Sequence, residues 1–397
     1  AWVYNFSKDK LAEHMENTIA FYNTQVEQHA VACRAADKPE TEAKKRIDND
    51  DKQIKWTGSL IAKLCQNSTC AYSTEKLGTS LYRPYCKQEL YYDRHFNHRY
   101  KERLFPTIHH KNLVIAVPGI GETVPFCAFG MNALPNLHTV SGGQCFPLYL
   151  YEKVSETKDG ELDLTSDTEA EGEIIDGYRR KSAISDEILK TFREAYGNKV
   201  SKEDIFYYVY GILHSPEYRE RFAADLKKML PRIPLTQQKK DYAAFTQAGR
   251  DLAELHLNYE DIAPHPDVNV QGDELALDPQ DLYRIKKMTY ARPTPEQKAA
   301  GQRFDKTRII YNSKITISNI PEDAHNYIVN GKSAIDWLLD RYQVKIDKKS
   351  GIKNDPNDWC TEHNNPQYIL NLILSVAHVS TQTNTIVATL PALNERK

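Results

Sequence analysis

The sequence has no long hydrophobic run and few cysteines. None of its apolar stretches approaches the roughly 18 residues that indicate a membrane-spanning helix. No basic segment followed by an apolar one stands at its start, so no secretory signal is predicted. The seven cysteines are an odd number spread over 397 residues, and they do not predict a disulfide framework. We therefore expect a cytoplasmic protein with free thiols and no membrane partner.

The sequence also lacks an excess of charge of one sign, because 52 Lys and Arg stand against 54 Asp and Glu. That balance does not by itself indicate a nucleic-acid-binding protein. The charges are nevertheless segregated. Acidic side chains dominate residues 156–176, and cations dominate residues 76–111, namely Lys76, Arg83, Lys87, Arg94, Arg99, Lys101, Arg103 and Lys111. This pattern favours one basic face and one acidic surface loop, although two ordinary solvated surfaces would also explain it.

Hydrophobic periodicity predicts an α+β fold with a β-rich subdomain, a helical subdomain and a long N-terminal helix. Helical spacing is found over residues 5–35, with Ser7 as the cap, and over 241–258. Further helices are expected after Ser333 and Pro366. Strands are expected at 113–117, 124–129 and 145–151, and around a turn within 308–319. The apolar side of the first helix needs another surface to cover it.

Residues 201–234 are the most strongly patterned stretch. Ser201 can cap a helix whose apolar stripe is Ile205, Val209, Ile212 and Leu213, with Asp204 completing a capping box. Ser215 and Pro216 then start a second helix, expected to reach Met229. Two helices with so short a connection predict a helical hairpin, with both stripes facing a common core.

Two motifs resemble sites of nucleotide or base chemistry but are incomplete. Residues 330–333, Asn-Gly-Lys-Ser, end like a phosphate-binding loop, yet position 326 is Asn where that loop needs Gly. Residues 365–368, Asn-Pro-Gln-Tyr, lack the second proline of the adenine methyltransferase motif, and no glycine-rich cofactor loop precedes them. Turns that open capped helices account for both. We find no complete catalytic motif and expect no cofactor in this chain.

A metal site is the weaker interpretation of the cysteines and histidines near residues 65–98. The gap between Cys65 and Cys70 falls within the range of zinc fingers, and Cys86, His95 and His98 follow. No second closely spaced pair completes a ligand set. We therefore predict free thiols and no metal.

Several stretches, in order along nearly the whole chain, resemble one family. They are WVYNFSKDKLAEHM (2–15), SLYRPYCKQELYYDRHFN (80–97), GGQCFPLYLYE (142–152), residues 201–234, residues 311–344 and NDPNDW (354–359). The chain resembles the C-terminal target-recognition region of type ISP restriction-modification enzymes. These are single polypeptides that combine nuclease, ATP-dependent translocase, adenine methyltransferase and DNA-specificity parts. The resemblance implies double-stranded DNA as a partner, together with the methyltransferase and helicase-like parts of the same polypeptide. It implies S-adenosylmethionine, ATP and Mg for the parent enzyme.

Residues 82–99 interleave aromatic side chains with cations and amides, a mixture that suits DNA. Arginine and lysine neutralise phosphates, and arginine, asparagine or histidine can reach base edges. We interpret the aromatics mainly as core; the alternative for Arg83 is a pair with a buried carboxylate such as Asp93. Lys306 and Arg308 offer a second edge. The predicted DNA contacts are Arg83, Arg94, His98, Arg99, Lys101, Lys111, Asn136, Gln144, Lys306 and Arg308.

The predicted organisation has four parts. Residues 1–75 form a helical arm or the tail of the methyltransferase part. In the parent enzyme, the methyltransferase part is expected to cover the apolar side of the first helix. Residues 76–155 form a β-rich subdomain, 156–180 an acidic loop or linker, and 181–397 an α+β target-recognition domain. The main hypothesis is a sequence-specific DNA-recognition module without catalysis of its own. The alternatives are a structural coupler that touches no DNA, and a fragment that keeps part of a methyltransferase fold.

Overall fold

The structure is a computed structural model that describes residues 2–154, 172–272 and 278–396. Its helices are α1 (Lys8–Arg34), α2 (Pro39–Arg46), α3 (Gly58–Cys65), α4 (Asp186–Tyr196), α5 (Lys202–His214), α6 (Pro216–Arg221), α7 (Lys239–Leu257), α8 (Pro279–Tyr283), α9 (Pro295–Ala299), α10 (Ala334–Arg341), α11 (Pro356–Glu362) and α12 (Tyr368–Ala388). None of these helices is long and apolar enough to cross a membrane.

The strands are short and spread over the chain. They are β1 (Tyr4–Asn5), β2 (Leu77–Arg83), β3 (Cys86–Tyr91), β4 (Val114–Val117), β5 (Phe129–Met131), β6 (Leu134–Pro135), β7 (Gln144–Pro147), β8 (Tyr149–Lys153), β9 (Glu173–Ile175), β10 (Tyr178–Ser182), β11 (Asn269–Gln271), β12 (Thr289–Ala291), β13 (Asp305–Ile310), β14 (Thr316–Ser318), β15 (Ile328–Val329), β16 (Lys332–Ser333), β17 (Lys345–Ile346) and β18 (Lys353–Asn354). Together with the helices they confirm the mixed α+β class.

The strands form several small sheets rather than one large one. Their orders are β1-β3-β2-β6, β5-β4-β7, β8-β10-β9, β11-β14-β13-β12, β15-β16 and β17-β18. All pairs are antiparallel except β2 with β6. Sheets this small cannot bury a face alone, so helices complete their cores.

The N-terminal helix forms as predicted. Ser7 caps α1 by accepting a hydrogen bond from the Lys10 amide at 3.0 Å. Its buried stripe, which includes Leu11, Met15 and Tyr22, packs with α2, α3 and β3 in one hydrophobic cluster. The expectation that another domain must cover this stripe is therefore wrong, because the chain folds α2 and α3 back over it.

The central stretch differs from the predicted hairpin. Ser201 and Asp204 form the capping box of α5, as expected. The second helix, α6, already ends at Arg221, and a series of turns occupies residues 222–229 in its place. The main partner of α5 is α7, because Gly211 and Gly249 let the two backbones touch. A Cβ at Gly249 would lie 1.8 Å from the Tyr207 carbonyl oxygen.

Other predicted elements are confirmed or shifted. β4, β13, β14 and the helix capped by Ser333 lie where expected, while β5 replaces the strand predicted at 124–129. α12 starts two residues after Pro366. Residues 155–171 of the acidic stretch lie outside the described residues, but 173–175 form β9, so the loop prediction is wrong there.

One core joins the predicted β-rich part to the C-terminal part. Leu81, Tyr85 and Phe129 belong to the same buried cluster as Ile309 and Leu338. A second cluster gathers α4, α5 and α7 with the other face of β4. The boundaries proposed for the four parts stay a prediction.

Tyrosine hydroxyls connect the core to irregular backbone. The chain has 24 tyrosines, and many of those in or near the core donate to a carbonyl oxygen far along the chain. The pairs include Tyr22 with Ser68, Tyr151 with Lys111, Tyr196 with Thr236, Tyr208 with Pro234, Tyr218 with Arg232 and Tyr311 with Tyr283, at 2.6–2.9 Å. Each bond satisfies a polar group that burial would otherwise leave unpaired.

Candidate nucleic-acid interface

A cleft of about 550 Å³ brings together most of the side chains predicted to contact DNA. It lies between strand β2, the turns at residues 134–145 and the basic loop, which we define as residues 92–113, a segment without helix or strand. Six of the ten predicted residues line this cleft: Arg83, His98, Arg99, Lys101, Asn136 and Gln144. Residues distant in sequence thus share one concave surface.

Arg83 is held in the wall of the cleft without a carboxylate partner. Its guanidinium lies 4.2 Å from the centre of the Tyr82 ring. Its Nη1 donates to the Tyr82 carbonyl at 2.5 Å and to Asn136 Oδ1 at 3.0 Å. Burial lowers the pKa of Arg83 below its ordinary value. No ion pair forms between Arg83 and any described residue, and its pairing with Asp93 is therefore wrong.

Asn136 positions Arg83, and both ends of its amide are engaged within the protein. Its Oδ1 also accepts from the His138 amide at 2.9 Å, and its Nδ2 donates to the Tyr4 hydroxyl at 3.2 Å. Gln144, in contrast, is exposed on β7 at the rim of the cleft. The structure therefore separates a fixed amide from one that is available to an external partner.

The basic loop is held by aromatic and backbone contacts. The rings of Tyr92 and Tyr100 stack at 4.1 Å, and their hydroxyls donate to the carbonyls of Phe105 and Pro106. Arg99 lies in the left-handed region with φ of 59°. His98, Arg99 and Lys101 are exposed, and none forms an ion pair within the described residues. A fixed backbone therefore presents two unpaired cations, Arg99 and Lys101, with the His98 imidazole beside them.

Arg94 and Lys111 lie outside the cleft. Arg94 forms an ion pair with Glu102 and stands 5.2 Å from the centre of the Tyr100 ring. Lys111 is exposed, and its carbonyl accepts the Tyr151 hydroxyl. The charge of Arg94 is therefore balanced inside the loop, whereas that of Lys111 faces solvent.

The second predicted edge lies on a different cleft of about 340 Å³, which shares no lining residue with the first. Lys306 lines it, with Arg303, Phe304 and His325. The Lys306 ammonium is 3.5 Å from Asp336 Oδ2. Arg308 is exposed on β13 and forms no ion pair with the described residues. The candidate contacts thus do not share one surface: six line the first cleft, Lys306 lines the second, and Arg94, Lys111 and Arg308 line neither.

Cys70, near the basic loop, belongs to a hydrogen-bonded network with Asp93. Cys70, Asp93 and His95 bring ligand atoms within 4.8 Å of one another, but Cys65, Cys86 and His98 are not part of this group. The Lys76 ammonium forms an ion pair with Asp93 Oδ2 at 2.7 Å, and the His95 amide donates to Oδ1 of the same carboxylate at 2.6 Å. Burial raises the pKa of Cys70 to about 11, which opposes the thiolate that a metal needs.

Three cations around Asp340 were missed by sequence reasoning. They are Lys332 on β16, Arg341 at the end of α10 and Lys345 on β17. In the sequence, Lys332 is explained as part of a turn, and the other two stand in no recognisable motif. The pairing of β15 with β16, the helix α10 and the pairing of β17 with β18 bring them together.

The chain is similar over its whole length to three solved structures. One is a nuclease-deletion mutant of the type ISP restriction-modification enzyme LlaGI in complex with a DNA substrate mimic, with 34% identity and a TM-score of 0.79. Another is the ATP-dependent type ISP restriction-modification enzyme LlaBIII bound to DNA, with 32% identity and a TM-score of 0.79. The third is the DrdV–DNA complex, with 26% identity and a TM-score of 0.76.

The chain spans 32%, 22% and 35% of the lengths of those three chains, respectively. No curated protein matches it. The profile of the type ISP C-terminal specificity domain matches residues 1–372, which leaves only the last 25 of the 397 residues unmatched. That coverage, with the shared fold, means that this chain belongs to the family of type ISP C-terminal specificity domains.

Proposed function

We propose that this chain recognises a target sequence in double-stranded DNA, with the first cleft and the basic loop as its contact surface. The observation that carries the proposal is the convergence of three cations, Arg83, Arg99 and Lys101, on one concave surface where none of them has a carboxylate partner among the described residues. Cations that the protein leaves unpaired suit an external polyanion. The DNA complexes of LlaGI, LlaBIII and DrdV support the same function.

The side chains divide between two roles in this proposal. Arg99 and Lys101, exposed on a fixed loop, would contact phosphates and set the register of the protein on the duplex. Arg83, His98 and Gln144 are the groups that could discriminate base edges, and each good bidentate contact is worth about 1–3 kcal/mol. Asn136 would act through Arg83, because its own amide is engaged within the protein.

The reactions of a restriction-modification enzyme would belong to other parts of a longer polypeptide in the cytoplasm. We propose no catalysis and no cofactor for this chain, which offers no complete catalytic motif. Adenine methylation with S-adenosylmethionine, and translocation and cleavage with ATP and Mg, would be carried out by the methyltransferase and helicase-like parts. The specificity domain would position the target adenine for the methyltransferase part, and it would license translocation and cleavage by the helicase-like part.

The structural-coupler alternative loses its main support. It depended on an N-terminal arm with an unpaired apolar side, and α2 and α3 bury that side within the chain. The methyltransferase-fragment alternative predicts binding of S-adenosylmethionine, which calorimetry on this chain can test directly.

The experiment that tests DNA recognition compares two sets of cations in the same loop. Arg99→Ala with Lys101→Ala removes unpaired cations, whereas Arg94→Ala removes one that Glu102 already balances. We expect the double variant to weaken duplex binding and to reduce the slope of log affinity against log salt by about 0.9 for each phosphate that is no longer neutralised. Fluorescence anisotropy over a salt series measures both.

The matched control, Arg94→Ala, should change the slope of log affinity against log salt little. If the double variant kept the affinity and the salt slope of the unmodified chain, the basic loop would not be the contact surface. Thermal unfolding of all variants separates loss of binding from loss of fold.

A further inference from the structure

A strip of cations runs along α10 from the second cleft towards the first. We call it the α10 band, and it consists of Lys306, Lys332, Arg341 and Lys345. Two carboxylates on the same helix, Asp336 and Asp340, hold it in place. They are four residues apart and therefore about 6 Å apart along the helix axis. Cations near one carboxylate are thus neighbours of those near the other.

The cations are crowded around Asp340. The ammonium of Lys332 and the Nη2 of Arg341 lie 2.7 and 2.6 Å from Asp340 Oδ2, and the ammonium of Lys345 lies 3.9 Å from Oδ1. Burial, and next the charge of Arg341, lower the pKa of Lys345. One carboxylate therefore serves three positive charges that repel one another.

The band continues to Arg83 in the wall of the first cleft. Burial raises the pKa of the Cys86 thiol to about 12, and the charges of Arg341, Arg83 and Lys345 act on that thiol in the opposite direction. Arg341 also acts to lower the pKa of Arg83. Arg341, Arg83 and Lys345 thus all lie near the buried Cys86 thiol, together with the carboxylate of Glu260, which pairs with Lys87 at 2.5 Å.

The carboxylates that pair with these cations do not balance their charge, although the Trp337 ring lies 4.9 Å from the Lys332 ammonium and 5.5 Å from the Arg341 guanidinium, and the Tyr290 ring lies 5.5 Å from the Lys306 ammonium. Arg83 and the four cations of the α10 band stand against two carboxylates, and the C-terminus of α10 adds only about half a negative charge. The Nε of Arg341 is buried without a hydrogen-bond partner among the described residues. The side chains of Lys332 and Lys345 stay 43% and 51% exposed. Ordinary surface ion pairs would leave neither the excess charge nor the unpaired donor.

We propose that the α10 band is a phosphate-binding strip that holds the backbone of duplex DNA between the two clefts. Lys332 and Lys345 contact phosphates directly, Arg341 supplies the deeper donor, and Asp340 positions all three. This inference rests on the proposed function. It adds a second contact surface, and it explains why the predicted contacts fall on two clefts.

The test uses Lys332→Ala with Lys345→Ala in the 397-residue chain and a duplex of mixed sequence several helical turns long. We expect weaker binding and a salt slope lower by about 0.9 for each phosphate that is no longer neutralised. The matched control is Lys45→Ala with Lys190→Ala, two exposed lysines that also pair with carboxylates but lie on α2 and α4. Lys332→Arg with Lys345→Arg keeps the charge and should restore the slope.

The possible outcomes separate this inference from the proposed function. A normal slope in the Lys332 and Lys345 double alanine variant, with the Arg99 and Lys101 variant still defective, would overturn the α10 band and leave DNA recognition standing. No salt-dependent binding by the unmodified chain would overturn both. Displacement of the duplex by stoichiometric ATP would assign the strip to a nucleotide instead and would also overturn the proposal.

Discussion

Polar groups have opposite surroundings in two regions of the molecule, the crossing of α5 with α7 and the first cleft. At the crossing, the Tyr210 hydroxyl accepts from the Gly130 amide at 2.8 Å and is hydrogen-bonded to His256 Nδ1 at 2.6 Å. The other ring nitrogen of His256 meets the Thr383 hydroxyl at 3.0 Å. In the cleft, Arg83, Arg99 and Lys101 have no ion-pair partner among the described residues. The crossing is built for stability, and the cleft leaves its charges for a partner.

The largest effect that would sharpen this comparison is expected from Gly249→Ala. The new methyl group would meet the Tyr207 carbonyl oxygen at 1.8 Å, so α5 and α7 must separate. We expect the free energy of unfolding to fall by about 3 kcal/mol, the upper end of the usual cost of overpacking. Urea denaturation measures it.

Gly58→Ala is the matched control, because nothing lies within 4 Å of a Cβ at that position on α3. It should not destabilise the protein, since alanine favours helix over glycine. Equal stability of the Gly249 and Gly58 variants would show that the close approach of α5 and α7 is not what holds them together.

A smaller effect, on binding rather than folding, is expected from Arg83→Ala. Loss of the guanidinium removes a cleft donor but no buried ion pair, so stability should change little. Affinity for target DNA should fall by about 1.5 kcal/mol, or roughly tenfold. Arg83→Lys keeps the charge but not the planar fork, and it should recover only part of the affinity.

Anisotropy with target and mixed duplexes distinguishes base reading from phosphate contact. A loss confined to the target would assign Arg83 to base edges, whereas an equal loss on both would assign it to the backbone. If Arg83→Ala destabilised the fold as much as Gly249→Ala, the contrast between the cleft and the crossing would be wrong.

The effect that is smallest at neutral pH is the pH dependence of the crossing, which develops only as the solution is acidified. Burial, and next the charge of Arg219, lower the pKa of His256 to about 3, against about 6.5 in an unfolded chain. The folded state therefore favours neutral His256, and its contribution is complete above pH 6.5 and is lost as the pH falls towards 3. Within that window, one such group lowers the free energy of unfolding by about 1.4 kcal/mol for each unit by which the pH falls.

His256→Gln should reduce the slope of unfolding free energy against pH between pH 6 and pH 4 by about 1.4 kcal/mol per pH unit, which corresponds to one proton. This holds whatever the effect of the substitution on stability at neutral pH. Chemical denaturation at several pH values measures the slope. An unchanged slope would show that His256 does not titrate with unfolding.

Local signals in the sequence predicted local structure well. The caps at Ser7, Ser201 and Ser333 and the turn between β13 and β14 depend on neighbouring residues, and all are confirmed. The pairing of α5 with α7 was missed, because it depends on Gly211 and Gly249, which carry no hydrophobic periodicity.

Only part of the candidate site was predicted, because sequence patterns reveal neighbours along the chain and not long-range contacts. The cations of the basic loop are clustered in sequence, so composition revealed them. Lys332, Arg341 and Lys345 become neighbours through α10 and the hairpins before and after it, and no local pattern indicated that. The amide of Asn136 was expected to meet DNA, but long-range contacts with Tyr4 and Arg83 occupy it.

The tyrosine hydroxyls that donate to distant carbonyl oxygens have a consequence for how such a domain can diversify. Every residue type supplies the same carbonyl, so exchanging the exposed side chain at Lys111 leaves the acceptor of the Tyr151 hydroxyl in place. The loops therefore keep their course while their outward-facing chemistry varies. Relatives built on this frame can acquire new target sequences by substitution at the surface alone, without re-engineering the interior.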